Sequence, residues 1–326
     1  MIKIVIDTKG GDNGAAVMVK GAGMALERYP ELQVLLVGDE PLLSAECEKL
    51  QLPMERVELL DAPGEITNYD SPTDALFKKA DSSMMRGLAV LKEREELVGM
   101  ISSGNTGALL TGSMRYLSGK ERVRPALAAV LPAQDGSFTC LIDTGATIDC
   151  TPSMLCHFAH LGSEFMKTTY AIEAPRIGLL SNGAEPTKGN KLVKETHPLL
   201  AADDSLNFVG NVEGNVALSG ICDVLVCDGF AGNQVLKVTE GTATRIITDI
   251  MKYAHRNQSA EIQKLGAHLM SIYDIGSLGG GIILGISKPV IKTRGSAGEK
   301  AVVSTAGMLV NMAQNKAIFD KNKNKI

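Results

Sequence analysis

The sequence predicts a three-layer α/β/α fold built on a largely parallel central sheet, and three observations carry that expectation. Short runs of β-branched and aliphatic residues alternate with longer segments at helical spacing, which is the rhythm of βα units. Glycine, asparagine and acidic clusters follow the apolar runs directly, as they do where parallel strands end in loops. Neither a fixed-period repeat nor a low-complexity linker interrupts the 326 residues. The chain is therefore read as one α/β unit, 1–326, of two intimately joined lobes with a boundary near residue 150.

Ile2 to Ile6 reads as a strand and Ala15 to Tyr29 as a helix; Gln33 to Val37, ending at Gly38, and Glu40 to Gln51 repeat the pair. Val57 to Leu60 is a short strand, and Pro72 to Glu93 is helical with a break near Asp81. Leu97 to Ile101 is a strand that enters Ser102 to Gly107, and Ala108 to Leu117 is the helix after it. Ala126 to Leu131 and Phe138 to Ile142 read as an antiparallel pair. Past Pro152 the pattern restarts with helix Ser153 to Met166, strand Arg176 to Leu180, helix Asn190 to Leu200 and strands Asn207 to Val209 and Val224 to Cys227. A long helical segment, 234–273, precedes the glycine run Gly276 to Gly281. Strands Ile282 to Ile286 and Val290 to Thr293, a helix from Ala297 to Gln314 and a lysine-rich tail, Lys316 to Ile326, read as a solvated helix end, close the chain.

Composition excludes several classes. At 44% hydrophobic and 21% charged, the chain has enough apolar matter to fold and no charge excess to prevent it. The net charge of −4 lacks the basic field that supplies non-specific affinity for nucleic acid, and 4% aromatics without Trp leave few stacking platforms. Nucleic acid is not an expected partner. Six cysteines are too sparse for a disulfide framework and fit a reducing compartment, so a cytoplasmic location is expected. No apolar run reaches the roughly 18 residues that a membrane span requires.

Six strand-end clusters carry the functional signal. They are Asp7 to Asp12, Ser103 to Gly107, Asp143 to Thr147, Asn182 to Asn190, Gly210 to Gly214 and Asp228 to Asn233. In an open α/β sheet, ligands bind beyond the carboxyl ends of strands, where loops and helix amino termini present unpaired N–H groups. Glycines that allow close backbone approach, beside Asn, Ser, Thr and one Lys, describe a single cleft for a small anion, most simply phosphate; Thr106 is placed to cap the helix it opens. None of the clusters is a dinucleotide fingerprint or a Walker A loop. Cys156 and His160 share a helix face at i, i+4, but no second pair completes a tetrahedral metal set. The absence of a G-x-S-x-G elbow leaves serine hydrolysis unsupported.

Asp7 to Asp12, Ser82-Ser83-Met84, Ser103 to Leu109, Asp143 to Ala146, Lys188-Gly189-Asn190, Phe208 to Gly214 and Val226 to Asn233 resemble, in order, the motifs of the bacterial phosphate acyltransferase family PlsX. That resemblance implies a fold similar to the phosphotransacetylases and to isocitrate/isopropylmalate dehydrogenase. It implies a homodimer that converts acyl-acyl-carrier protein and inorganic phosphate into acyl phosphate for phospholipid synthesis, with no cofactor and no obligatory metal. The sequence departs from the family pattern at Thr8-Lys9, Thr147, Asn182 to Glu185, Gly280 to Gly285 and Arg294 to Ala297. Those departures leave open a paralogue that forms a short-chain acyl phosphate such as acetyl phosphate, as in glycine reductase, and a catalytically silent homologue that binds a carrier protein. A dehydrogenase is the remaining rival.

Attack of phosphate on a thioester needs positioning and charge stabilisation more than covalent help. Phosphate is assigned to the amides of Gly10, Gly11, Gly104 and Asn105, to Ser103 and Thr106, and to the Lys188 ammonium. Asn211 and Asn233 are assigned as donors to the developing oxyanion, with Asp228 as a further catalytic group. Asp7, Asp143, Asn190, Glu213 and Gly229 are supporting residues: the acids orient Lys188 or backbone amides, accept a proton from phosphate, or simply cap turns. The segment Thr242 to Tyr273 is expected to pack at a dimer interface, and its basic residues suit an acidic carrier protein or a peripheral membrane contact.

Overall fold

A computed structural model describes residues 1–119, 124–273 and 280–323, with side chains to residue 315. Gly276 to Gly279 of the glycine run and the side chains of the lysine-rich tail lie outside the described residues. Contacts divide the chain into two compact units, one of residues 1–127, 167–173 and 279–326 and the other of 128–166 and 174–278. Residue 150 falls inside the second unit, so the lobes do not divide at a single point: the last two strands of the chain return to the first unit and pair beside residues about 190 positions earlier.

In unit 1 the strands are β1 (Ile2–Asp7), β2 (Leu32–Gly38), β3 (Val57–Asp61), β4 (Leu97–Ser102), and the late strands β10 (Gly281–Leu284) and β11 (Val290–Lys292). Their order is β3-β2-β1-β4-β11-β10, parallel throughout except for the antiparallel β10. Ile4, Val5 and Ile6 are all fully buried, as a central strand covered on both faces requires. On one face Val5, Leu35, Val37 and Met100 pack with Met85, Leu88 and Leu91 of α4 (Ser83–Glu93) and with Ala108 and Leu109 of α5 (Thr106–Leu117). The other carries α1 (Gly14–Arg28) and α10 (Glu299–Lys323), where Gly21 and Gly99 leave room for Val302 and Leu309. Helices α2 (Glu40–Lys49) and α3 (Pro72–Lys78) begin at Asp39 and Ser71, whose side chains accept from Leu42 N and Asp74 N. The break expected near Asp81 is real: α3 ends at Lys78, and Ser82 caps α4 through Met85 N.

Unit 2 holds β5 (Ala126–Pro132), β6 (Phe138–Ile142), β7 (Arg176–Ser181), β8 (Asn207–Glu213) and β9 (Val224–Val226) in the order β5-β6-β9-β7-β8. Only β5 and β6 are antiparallel, as read from sequence. Helix α6 (Pro152–Tyr170) lays Gly162 against Val224, while Leu131, Leu141, Val212 and Leu225 form a core with Val235 and Leu236 of α8 (Gly229–Arg256). Helix α7 (Lys191–Ala201) packs on β7 and β8. The three-layer α/β/α class is thus the one observed.

Two expectations change. Gly210 to Gly214 is not wholly a loop, since β8 runs on to Glu213; a register shift after Ile177 and a positive φ of 98° at Gly210 carry the strand through the glycine. The segment 234–273 is two helices, α8 and α9 (Ala260–Tyr273), because Asn257 ends the first, Gln258 takes a φ of 50° and the Ser259 hydroxyl accepts from Ile262 N. Among the described residues no helix is long and apolar enough to cross a membrane.

One ion pair ties the starts of three unit 2 strands. Asp223 Oδ2 accepts from Arg176 N at 2.7 Å and Nε at 3.0 Å, its Oδ1 accepts from Nη2 at 2.8 Å, and its carbonyl accepts from Cys140 N. Asp223 is buried and Arg176 partly exposed, so Asp223→Ala is expected to cost about 2–3 kcal/mol in denaturant unfolding, mostly through the unsatisfied Arg176 groups. A loss below about 0.5 kcal/mol would contradict this reading.

Candidate functional site

In unit 1 the site is organised by the carboxylate at the end of β1. Asp7 is fully buried; Oδ1 accepts from Ser83 Oγ at 2.6 Å and Lys9 N at 3.2 Å, and Oδ2 from Ser102 Oγ at 2.6 Å. Burial pushes its pKa up to about 6, although these donors pull the other way. Ser102 passes the constraint on, its Oγ accepting from Gly104 N at 3.2 Å. A Cβ on Gly10, whose φ is 80°, would lie 2.9 Å from Gly104 Cα, and one on Gly11 would lie 2.4 Å from Ser103 Oγ. The turns at residues 10–11 and 103–104 therefore touch backbone to backbone, which is why glycine stands there.

Gly10, Gly11, Ser103, Gly104, Asn105 and Thr106 thus belong to one cluster, with two corrections. The Gly104 amide is already committed to Ser102, and Asn105, not Thr106, caps α5: its Oδ1 accepts from Ala108 N at 3.0 Å while Nδ2 donates to the Thr67 and Asp70 carbonyls. Sequence reasoning missed Lys292. It pairs in register with Ser102, and its Nζ donates to the carbonyls of Ser103, at 3.2 Å, and Thr293. Burial lowers its pKa to about 8, against the pull of Asp12 and Asp7. The available signal was a lysine closing the otherwise apolar run Val290-Ile291 at a strand end.

Unit 2 repeats the device. Asp143, fully buried just past β6, accepts from Gly145 N at 3.1 Å, Ala146 N at 3.0 Å and Thr147 N at 2.6 Å. The turn it holds leaves no room in the first turn of α8: a Cβ on Gly229 would lie 2.8 Å from Asp143 Oδ2, and one on Gly232 would lie 1.9 Å from Asp143 O. Asp228 caps that helix through Ala231 N at 2.8 Å, and Asn233 flanks Gly145. A second group centres on Lys188-Gly189-Asn190. Asn182 Oδ1 accepts from Gly189 N at 2.8 Å, Asn190 caps α7 through Val193 N at 2.9 Å, and Lys188 is exposed. Asn211 is not a loop residue; it sits on β8, its Nδ2 donating to Glu185 O at 2.8 Å and its Oδ1 buried without a partner among the described residues, while Glu213 ends the strand.

Both groups border one cavity of about 580 Å³ at the carboxyl ends of β7 and β9, lined by Asn190 and Asp228 among others. Ser181, the last residue of β7, also lines it; the residue is buried and its hydroxyl has no partner among the described residues. Cys227, at the end of β9, is another wall residue, and burial holds its thiol well above the usual range. His160, weighed as a metal ligand, pairs its Nε2 with Asp203 Oδ2 at 2.9 Å instead. Among the described residues no three His, Cys, Asp or Glu side chains gather as a metal-binding group.

A family model described as fatty acid synthesis protein matches residues 2–319. The chain belongs to that family. A phosphate acyltransferase of Halothermothrix orenii is 39% identical over 308 residues, 92% of each chain, and one of Clostridium novyi is 36% identical over 334 residues, covering 100% of this chain and 98% of its own. The resemblance drawn from the motifs is therefore borne out. A phosphotransacetylase structure from Streptococcus pyogenes shares the fold, with a TM-score of 0.64, 17% identity and coverage of 97% and 94%. So does a 4-hydroxythreonine-4-phosphate dehydrogenase from Klebsiella pneumoniae, with a TM-score of 0.53, 13% identity and coverage of 96% and 98%.

Two departures from the family pattern sit where the backbone does the structural work. Thr147 joins the Asp143 network through its amide and takes the Gly229 N–H on its carbonyl; Thr8 is buried with its hydroxyl on Val37 O at 2.9 Å. The Asp143 turn makes a paired prediction within α8. Gly232→Ala is expected to cost about 3 kcal/mol by forcing the helix off that turn, whereas Gly241→Ala, exposed and with open space around it, is expected to gain about 0.5–1 kcal/mol. Equal effects in denaturant unfolding would contradict the assigned contact.

Proposed function

We propose that this protein is a phosphate acyltransferase, moving an acyl group from a thioester to inorganic phosphate. A phosphate oxygen bonds to the carbonyl carbon, the carbon–sulfur bond breaks, and the proton of monohydrogen phosphate ends on the departing thiol, leaving acyl phosphate. The observation that carries this reading is identity of 36–39% over nearly the whole chain with relatives named phosphate acyltransferase.

The expected residue roles are part of the proposal. In unit 1 the amides of Gly10 and Gly11, with Ser103 and Thr106, are the proposed donors to phosphate oxygens, and in unit 2 Lys188 is the proposed compact cation for an oxyanion. Asn233 and the remaining N–H of Asn211 donate to the developing oxyanion. Asp143, Asp228 and Asn190 act by fixing backbone amides, and Asp7 by fixing the Ser83 and Ser102 hydroxyls, which is the work their hydrogen bonds support.

Acyl carrier protein is the proposed donor and the cytoplasm the proposed site of action. Lys252, His255, Arg256 and Lys264 are exposed on α8 and α9, a basic surface complementary to an acidic carrier. Part of the apolar pattern expected at an interface is used within the helix pair, where Gly266 admits Met251. Ile246, Leu265 and Met270 remain exposed and support a homodimer through this hairpin, or a peripheral membrane contact.

Free thiol is expected to appear from an acyl thioester only when phosphate is present, with an acyl phosphate trapped by hydroxylamine. Lys188→Ala and Asn233→Ala should each lower turnover by about 100-fold, the usual effect of removing one transition-state donor. Phosphate-independent thiol release would overturn the activity, and variants within a few-fold of the parent would overturn the residue roles.

A further inference from the structure

The 580 Å³ cavity of unit 2 has a lining that selects against an inorganic dianion. Its walls include Leu155 of α6, Leu179 and Leu180 of β7, Val193 of α7 and Ala231 of α8. Among the described residues no lysine or arginine lines it, and Asp228 puts a carboxylate in its wall. A phosphate dianion inside would exchange water for aliphatic carbon beside a negative charge. A hydrocarbon chain lying along the aliphatic part of the lining, away from Ser181, Asn182 and Asp228, would shed its own contact with water. The lining also includes Gly189 and Asn190, the residues following Lys188.

We propose that this cavity takes the acyl chain of the thioester, and that Val193 and Leu155 set the chain length accepted. The inference rests on the acyl-transfer reading and deepens it by assigning the specificity residues. Val193 is held in the wall by the Asn190 cap, and Leu155, almost fully buried, forms the wall contributed by α6. Bulk added at 193 shortens the space; bulk removed at 155 lengthens it.

The test is a series of acyl thioesters from acetyl to palmitoyl, turned over with phosphate by the parent, Val193→Phe and Leu155→Ala. Val193→Phe is expected to lower the long-to-short ratio of kcat/KM at least tenfold, and Leu155→Ala to raise it several-fold. If Val193→Phe does not fold, Val193→Leu is read in the same direction. A parent that turns over none of the series defeats the acyl-transfer reading itself. A parent that turns them over, with folded variants that leave the ratio unchanged or move it in the same direction, overturns the assignment of the cavity.

Discussion

A carboxylate buried at the end of a strand must be supplied with donors from its immediate surroundings, and this requirement shapes both units. Asp7 and Asp143 are fully buried and follow the same local pattern, an Asp-Thr step leading into a glycine turn. Each accepts the amide two residues ahead, from Lys9 and from Gly145. Each also faces a glycine just past the neighbouring strand: a Cβ on Gly104 would lie 3.7 Å from Asp7 Oδ2, and one on Gly229 would lie 2.8 Å from Asp143 Oδ2. Leaving either carboxylate unpaired would cost several kcal/mol, so the turns have little freedom to be elsewhere.

That constraint separates scaffolding from chemistry. Asp143 and the caps at Asn105, Asn190 and Asp228 accept from backbone amides, while Asp7 divides its capacity between the Ser83 and Ser102 hydroxyls and the Lys9 amide; the caps hold helix amino termini at the carboxyl ends of strands. On the proposed reading, substrate meets groups that these bonds leave over, the exposed Lys188 and the apolar walls of the unit 2 cavity. The cation sits outside that cavity and the hydrocarbon lining inside it. A reaction joining an apolar acyl group to an inorganic anion calls for the same division.

Much of the fold was legible because strand-forming runs such as Ile4-Val5-Ile6 and helical spacing are local properties. The return of β10 and β11 to unit 1 was not, since the pairing of Val290 with Met100 leaves no mark within any window of sequence. Glycines misled twice: Gly210 reads as a loop yet carries a bulge inside β8, and Gly229 and Gly232 read as loop residues yet form the first turn of α8, where Asp143 excludes a Cβ. Strand-end Asp, Asn and Gly marked the turns and caps at the carboxyl ends of strands, but which of Asn105 and Thr106 caps a helix is decided by tertiary partners at Thr67 and Asp70. Lys292 stayed hidden because a lysine ending an apolar strand usually reaches solvent.

The pH dependence of stability in the parent and in Asp7→Asn tests the buried-carboxylate constraint most directly. Because burial raises the Asp7 pKa from 3.8 to about 6, the folded state holds its proton more tightly than the unfolded chain, and that contribution is lost as pH rises through this window. The unfolding free energy of the parent relative to Asp7→Asn is expected to fall by about 2 kcal/mol between about pH 4 and pH 6.5. A difference that stays constant across that range, or grows, would contradict the account.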